Sequence, residues 1–295
     1  LLIRLVPPSK CNNSNANEER TMKKARSIIK YPGSKRLMLD RLFKHLPQTG
    51  DVLCEPFVGS ATVALNSDYR EYHLNDANPD LIALFKLCQK KPSDLIIELR
   101  KLFVPENNTP ERYYEIRKHF NQIEDLEERA VLLMYFNRHG FNGLVRYNPR
   151  NEYNVPFGDG KPAYLPELEI ECFSEKLKNA YFYCMDFADF IDHAATLEGS
   201  KNQYIDPPYL SSKDSNSSFT AYTATGFTTA DHIRINRAIM HHRAAFDRVL
   251  VSNHKSHDLV TTYTDSKRTV MFRVPRTISA KTVRRKPAKE VLIYY

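Results

Sequence analysis

The stretch "DVLCEPFVGSA", Asp51–Ala61, decides the fold. It starts as a short apolar, β-prone run, passes Glu55 and Pro56, and ends on the small residues Gly59, Ser60 and Ala61, after which a helix-like "TVALN" follows. A strand that turns through small residues into a helix lets backbone N–H groups approach a ligand at a helix N-terminus. The next β-prone run, "EYHLND" (Glu71–Asp76), ends on an acid 17 residues after Gly59. A carboxylate at about that offset commonly grips a ribose, so a nucleotide-like cofactor is expected. There is no G-x-x-x-x-G-K-[ST], which argues against a phosphate-cradling P-loop.

Outward from this stretch, further β-branched and aromatic runs read as buried strands: Ala180–Met185, Gln203–Asp206, Arg248–Asn253, Thr269–Val274 and Glu290–Tyr295. Helical patterns separate most of them, and Thr228 and Asp231 are spaced as a capping box at the start of one. Strands alternating with helices predict an α/β fold with a mainly parallel, doubly wound sheet. From Pro79 to Asn137 the pattern is helical throughout, with starts at Pro92 and Pro110. The loop-like "RHGFNGLVRYNPRNEYNVPFGDGKP" follows, so a mostly helical insertion over 79–166 is expected to interrupt an α/β domain made of 22–78 and 167–295.

The chain has 295 residues and a net charge of +8. From Ser266 to Tyr295 there are nine bases against one acid, Glu290, an excess as large as the charge of the whole chain. A polyanion is the natural partner of such a segment. The five cysteines (Cys11, Cys54, Cys88, Cys172 and Cys184) are scattered without a C-x-x-C pair, which argues for a reducing compartment and against a zinc site. No apolar run reaches membrane-spanning length. Residues 1–21 read as a disordered leader, with Met22 as the expected natural start.

Three further stretches carry chemistry. "KYPGSK" (Lys30–Lys35) is a glycine turn with Tyr31 able to stack on a flat base and lysines able to meet an anion. "YIDPPYL" (Tyr204–Leu210) ends a strand with two prolines, which fix their own φ and hold the preceding residues extended. That stiff tip aims the Asp206 carboxylate, the carbonyls of Pro207 and Pro208 and the Tyr209 ring at one point. The set suits a planar ring bearing an exocyclic amine. "FNRHGFNGLVRYNPRNEYNVPFG" (Phe136–Gly158) interleaves arginines, aromatic residues and five asparagines. Arginine pairs bidentately with guanine, asparagine with adenine, and an aromatic side chain can fill a gap in a base stack.

Taken in order, "EPFVG", "RYN", "NVPFG", "YFYC", "DPPY", "FTAY" and "SNH" make the chain similar, from about Ile28 to Tyr295, to the Dam-type (D12 class) DNA adenine-N6 methyltransferases. The resemblance implies a Rossmann-like methyltransferase sheet that uses S-adenosylmethionine, with residues 79–166 as a target-recognition domain. By that resemblance Tyr31, Lys35, Phe57, Gly59, Ser60, Asp76, Asp186, Phe187 and Asp206 surround the cofactor, and Asp206, Pro207, Pro208 and Tyr209 hold the target adenine. It also implies that Lys30 and Arg146 read guanines, Phe141 wedges into the duplex, Asn142 meets the orphaned thymine, Leu144 and Pro156 touch thymine methyls, and Asn148 lies in the same DNA-binding set. Such a set reads 5′-GATC-3′. The chain departs from the family pattern at Ala61, where a second glycine is usual and a side chain is expected to crowd the cofactor. It departs again at Asp159, where a base is usual, and at Met185-Asp186.

An adenine inside a duplex must flip out to be reached. Hydrogen bonds from its amine to Asp206 and the Pro207 carbonyl would favour a pyramidal nitrogen whose lone pair attacks the activated methyl group. No metal is expected, and the enzyme is expected to act as a monomer on double-stranded DNA in the cytoplasm of a bacterium or of a phage host. Two other readings stand beside this one. The same tip could hold cytosine N4 or a protein glutamine amide, and a decayed cofactor pocket would leave a non-catalytic DNA-binding protein.

Overall fold

The computed structural model describes residues 24–209, 227–254, 262–274 and 288–295. The expected leader and the Met22 start, the "FTAY" motif, and the bases Arg276, Lys281, Arg284, Arg285 and Lys286 lie outside the described residues.

Each run read as a strand forms one. The strands are β1 (Thr49–Glu55), β2 (Asp68–Asn75), β3 (Ala180–Tyr183), β4 (Lys201–Ile205), β5 (Arg248–His254), β6 (Arg268–Val274) and β7 (Ala288–Tyr294). They build a seven-stranded sheet in the order β3-β2-β1-β4-β5-β7-β6. The first five in that order pair in parallel, whereas β7 runs antiparallel to both β5 and β6. The central strands β1, β4 and β5 read as near-continuous apolar runs because both faces of the sheet are covered there, whereas the edge strands β3 and β6 expose Tyr181 and Met271. In β1, Leu53 packs into one apolar cluster and its neighbours Val52 and Cys54 into the other.

The helices are α1 (Leu39–Leu42), α2 (Thr62–Leu65), α3 (Pro79–Lys90), α4 (Pro92–Leu102), α5 (Pro110–Phe120), α6 (Leu126–His139), α7 (Glu167–Lys176), α8 (Phe187–Thr196) and α9 (Thr229–His242). Their starts are written locally. Proline occupies the first turn of α3, α4 and α5, where its missing N–H costs nothing. Asn78, Thr109 and Asp125 accept N–H bonds as N-caps of α3, α5 and α6. The capping box of Thr228 and Asp231 opens α9 as expected. Helices α8 and α9 cover one face of the sheet, and the second cluster continues from β1 and β2 into α3–α7.

One buried ionic group fastens the helices to the loop after them. Asp80 on α3, 1% exposed, takes Arg129 of α6 through both carboxylate oxygens at 2.6 and 2.8 Å and accepts the Tyr147 hydroxyl at 2.5 Å. Two further Arg129 bonds reach the Phe120 and Ile123 carbonyls, and its guanidinium lies 4.1 Å from the Phe120 ring centre.

The chain order β1, β2, β3 leads one way from β1, and β4 then returns to β1's other side. The carboxyl ends of β1 and β4 therefore flank the point where the winding reverses, the place where open α/β sheets bind ligands.

Candidate active site

At the end of β1 the chain turns through Gly59, whose φ of +47° favours glycine. The Gly59 N–H donates to Asp76 Oδ2 at 3.1 Å, and the Asn78 N–H donates to Asp76 Oδ1 at 3.0 Å. Burial pushes the Asp76 carboxyl up to about 6, against the pull of these backbone N–H groups. Thus β2 delivers its acid to the β1 turn, as the spacing predicted. A Cβ on Gly59 would sit 3.2 Å from the Tyr31 ring, so that ring lies across the turn. Ser34 and Ser60 both contact the Thr62 hydroxyl, at 2.9 and 2.7 Å, and join the "KYPGSK" segment to the start of α2. Phe57 packs against Phe187 and Phe227 to form an aromatic wall beside the turn. Asp186 caps α8 through the Ala188 N–H and pairs with Arg234 at 2.8 Å.

Ala61 stands in left-handed backbone with φ +55°. Its methyl is fully buried in the apolar cluster behind the turn, so it faces the core and not the open side where crowding was expected. Ala61→Gly would relieve about 1–2 kcal/mol of left-handed strain. It would lose about 0.8 kcal/mol of methyl burial and add the backbone entropy of glycine. Stability measured by urea denaturation should therefore move by less than about 1 kcal/mol, with cofactor affinity unchanged by calorimetry.

Glu55, two positions after Leu53 on β1, is 2% exposed and accepts the Ala64 N–H at 3.0 Å. Burial pushes its carboxyl up to about 8, with the nearby Asp206 charge adding to the shift.

Beside this turn, β4 delivers the tip. The Asp206 carboxylate is held on both sides: Lys35 Nζ lies 2.5 Å from Oδ2, and the Ser252 hydroxyl of β5 donates to Oδ1 at 2.7 Å. Ser252 is itself held at 2.9 Å by Tyr204. Lys35, 5% exposed, also donates to the Gly33 carbonyl at 2.8 Å and sits 5.0 Å from the centre of the Tyr209 ring. The His254 ring meets Tyr209 edge-on at 4.2 Å. These bonds fix the carboxylate as an acceptor and the tyrosine as a face.

A histidine that sequence reasoning passed over braces the tip from below. His232 of α9 is fully buried, with Nε2 3.1 Å from the Pro208 carbonyl and Nδ1 2.9 Å from the Tyr263 hydroxyl. The carbonyl can only accept, so Nε2 carries the proton and Nδ1 accepts from the tyrosine. Burial lowers its pKa to about 4, below the value of about 6.5 in an unfolded chain. The unfolded state therefore binds the extra proton first, and the stability that His232 contributes is complete above pH ~6.5 and lost as pH falls toward 4. His232→Gln should flatten the acid limb of the stability–pH curve, by up to about 3 kcal/mol between those limits.

The loop after α6 folds back on itself. Phe141 N–H donates to the Pro156 carbonyl at 2.9 Å, Asn154 N–H to the Arg146 carbonyl at 3.2 Å, and Asn148 N–H to the Glu152 carbonyl at 2.9 Å. Phe141 is 46% exposed, and Asn142, also exposed, holds φ +53°. Leu144 is half-buried and Pro156 exposed. Arg146 is fixed by Asn154, which accepts from its Nε at 2.7 Å and its Nη2 at 3.2 Å. The Asn148 side chain is engaged in the turn, accepting from Arg150 and Glu152 N–H groups and donating to the Glu152 carboxylate at 2.7 Å. Asp159 pairs with Lys161 at 2.8 Å, so its departure from a base is partly offset in charge. Among the described residues no group of three His, Cys, Asp or Glu side chains could hold a metal ion, and no helix is long and apolar enough to cross a membrane.

Residues 31–277 match the family of D12 class N6 adenine-specific DNA methyltransferases. The chain belongs to that family. It is 40% identical over 274 residues to the DNA adenine methylase of Escherichia coli (strain K12), a match that covers 93% of this chain and 96% of that protein. The DNA adenine methylase of Vibrio cholerae serotype O1 (strain ATCC 39315 / El Tor Inaba N16961) is 38% identical over 277 residues, covering 93% of this chain and 97% of its own length. That of Serratia marcescens is 38% identical over 276 residues, 93% of this chain and 100% of that protein. As a D12-class enzyme the chain is an adenine-specific DNA methyltransferase. Family membership selects adenine N6 over the cytosine N4 and glutamine acceptors, and an enzyme over a non-catalytic binder.

Proposed function

We propose that this D12-class enzyme flips an adenine out of a 5′-GATC-3′ duplex and methylates its N6 from S-adenosylmethionine. The observation that carries this reading is that one short segment joins the two halves beside the reversal point of the sheet, its Tyr31 ring across the Gly59–Asp76 turn and its Lys35 paired with Asp206. The turn fits the cofactor: Asp76 would take the ribose hydroxyls, Tyr31 would cover the adenine, and Gly59 with Ser60 would pass close to the methionine end. Phe57, Asp186 and Phe187 would complete the wall. S-adenosylmethionine supplies a methyl group already activated on a sulfonium, so the protein's task is positioning and electrostatics.

Asp206 and the Pro207 carbonyl accept the two amine hydrogens, Pro208 stiffens the tip, and Tyr209 stacks on the flipped ring. Lys35 keeps the carboxylate in place, ready to accept. No residue forms a covalent bond to the base.

Residues 79–166 serve as the target-recognition domain on the catalytic domain of 22–78 and 167–295. Flipping costs a few kcal/mol. The exposed Phe141 offsets part of that by filling the gap, with Asn142 on the orphaned thymine. Leu144 and Pro156 contact thymine methyls, and Lys30 and Arg146 read guanines, the latter with the Nη1–Nη2 edge that its bonds to Asn154 leave available. Asn148 supports the loop from within its turn. The enzyme acts as a monomer, without a metal, on DNA in the cytoplasm of a bacterium or a phage host.

Methylation mapping of DNA from cells expressing the chain tests the sequence directly: N6-methyladenine confined to GATC is expected, and methylation at unrelated sites would overturn the reading. Arg146→Ala should then cost about 1–3 kcal/mol of discrimination at its guanine. Initial methylation rates on singly substituted duplexes check this, since equal weakening on all of them would reduce Arg146 to a phosphate contact.

A further inference from the structure

Residues 28–35 lie across both halves of the site, and a single buried side chain fixes one end of this strap. Asn137, on the last turn of α6, is fully buried, and its amide makes three bonds. Its Oδ1 accepts the Lys30 N–H at 2.7 Å, while Nδ2 donates to the Lys30 carbonyl at 2.7 Å and to the Gly143 carbonyl at 2.9 Å. The first two bonds reproduce what a neighbouring strand would give Lys30. The third grips the recognition loop next to Asn142.

Gly143 closes the contact from the other side. A Cβ there would lie 2.6 Å from Lys30 Cβ and 2.7 Å from Lys30 Cδ, so loop backbone and strap already touch. Arg138 adds a bond to the Ile28 carbonyl. The strap's far end belongs to the other half of the site. The Tyr31 ring covers Gly59, Ser34 reaches Thr62, and Lys35 pairs with Asp206. Lys30 and Tyr31 are thus consecutive residues with different proposed ligands.

We infer that Asn137 is a positioning residue that locks the strap to the recognition loop, so that a cofactor seated under Tyr31 sets the position of the DNA-reading residues. This rests on the proposed roles of Tyr31 toward the cofactor and of the loop toward DNA. A cofactor that presses on Tyr31 moves Lys30 by one residue's leverage, and the amide carries that shift to Gly143. Coupling between two binding sites is reciprocal, so duplex bound to the loop tightens cofactor by the same factor.

The test measures duplex affinity by fluorescence anisotropy, with and without sinefungin as a non-reactive cofactor analogue, on a duplex that the wild-type enzyme methylates. Wild type should bind the duplex roughly 5- to 150-fold more tightly with the analogue present, the usual span of such coupling. Asn137→Leu keeps the volume and removes all three bonds, and its coupling factor should fall to near one while each separate affinity changes much less. Gly143→Ala leaves the Asn137 amide in place but forces Lys30 away, and it should lose coupling too. It carries the test if Asn137→Leu fails to fold.

Wild-type coupling in a folded variant, or a wild type without coupling, overturns the inference. A fall in both separate affinities with the factor unchanged would show a merely structural asparagine and overturns it as well. Failure of the underlying roles looks different: Tyr31→Ala would then leave sinefungin affinity unchanged, or Phe141→Ala would leave duplex affinity unchanged.

Discussion

Asp206→Ala should lower the single-turnover rate of methyl transfer by about 10²–10³-fold, the loss typical of removing one preorganised group that meets charge developing in the transition state. If Asp206 accepts from the adenine amine as proposed, that bond strengthens as the nitrogen becomes pyramidal and begins to carry positive charge, so its loss falls on the chemical step. Duplex and cofactor affinities should stay within a few-fold, because Asp76, the Gly59 turn and the loop are untouched. The substitution also deprives Lys35 of its partner in a site where only 5% of that lysine is exposed. Asp206→Asn serves as the control, since it keeps an oxygen that can accept from Ser252 and from the amine, and it should retain more of the rate than Asp206→Ala. Tyr209→Ala should behave differently, with a loss of roughly 1–3 kcal/mol in holding the flipped base. Fluorescence of 2-aminopurine at the target position would report that loss, and Tyr209→Phe should be mild. Near-normal single-turnover transfer by Asp206→Ala would show that the carboxylate does not serve the adenine amine.

The largest effect on stability is expected at Arg129. Arg129→Ala leaves Asp80 charged and nearly inaccessible with only the Tyr147 hydroxyl for a side-chain donor among the bonds described above, and removes the donors to the Phe120 and Ile123 carbonyls. Removing one partner of a buried pair costs about 3–5 kcal/mol, because the remaining charge keeps its desolvation penalty. A lower urea midpoint at unchanged slope would record this as a true stability loss. The double variant Asp80→Leu with Arg129→Met should recover much of it, since well-packed apolar replacements of buried pairs are often neutral. A loss below about 1 kcal/mol for Arg129→Ala would show that the pair behaves as an exposed one. The group joins α3, α6 and Tyr147 of the loop proposed to read DNA, so on that proposal Arg129→Ala should also weaken duplex binding at temperatures where the protein remains folded.

The sequence by itself determined the strands, the helix starts and the local geometry of the two stretches proposed to form the site. The central strands are legible because the sheet is covered on both faces there, which leaves short apolar runs between turn residues, and the edge strands β3 and β6, where Tyr181 and Met271 are exposed, are legible from their β-branched and aromatic residues. The helix starts are legible because caps and first-turn prolines act within three or four residues. Gly59, Asp76 and the "DPPY" tip are legible for the same reason: a left-handed turn, an acid ending a strand and a proline pair state their geometry locally. The strand expected over Asp51–Gly59 stops at Glu55, since Pro56 cannot donate to the ladder and the turn to Gly59 begins there.

Only the tertiary structure decided which distant groups hold these pieces in place. Asn137 meets Lys30 across 107 positions, Arg129 meets Asp80 across 49, and Ser252 meets Asp206 across 46. Arg129 and His232 sit in helical runs among other polar residues with no pattern to mark them, and Asn137, though one of the five asparagines of the loop stretch, gives no sign in sequence that its partner is Lys30. Ala61 looked like an obstruction in sequence, and only its buried methyl shows that it faces the core. Hydrophobic periodicity fixes which side of an element is buried, but the partner of a buried polar atom is chosen by the packing of elements far apart in the chain, where a desolvated donor or acceptor must find its match.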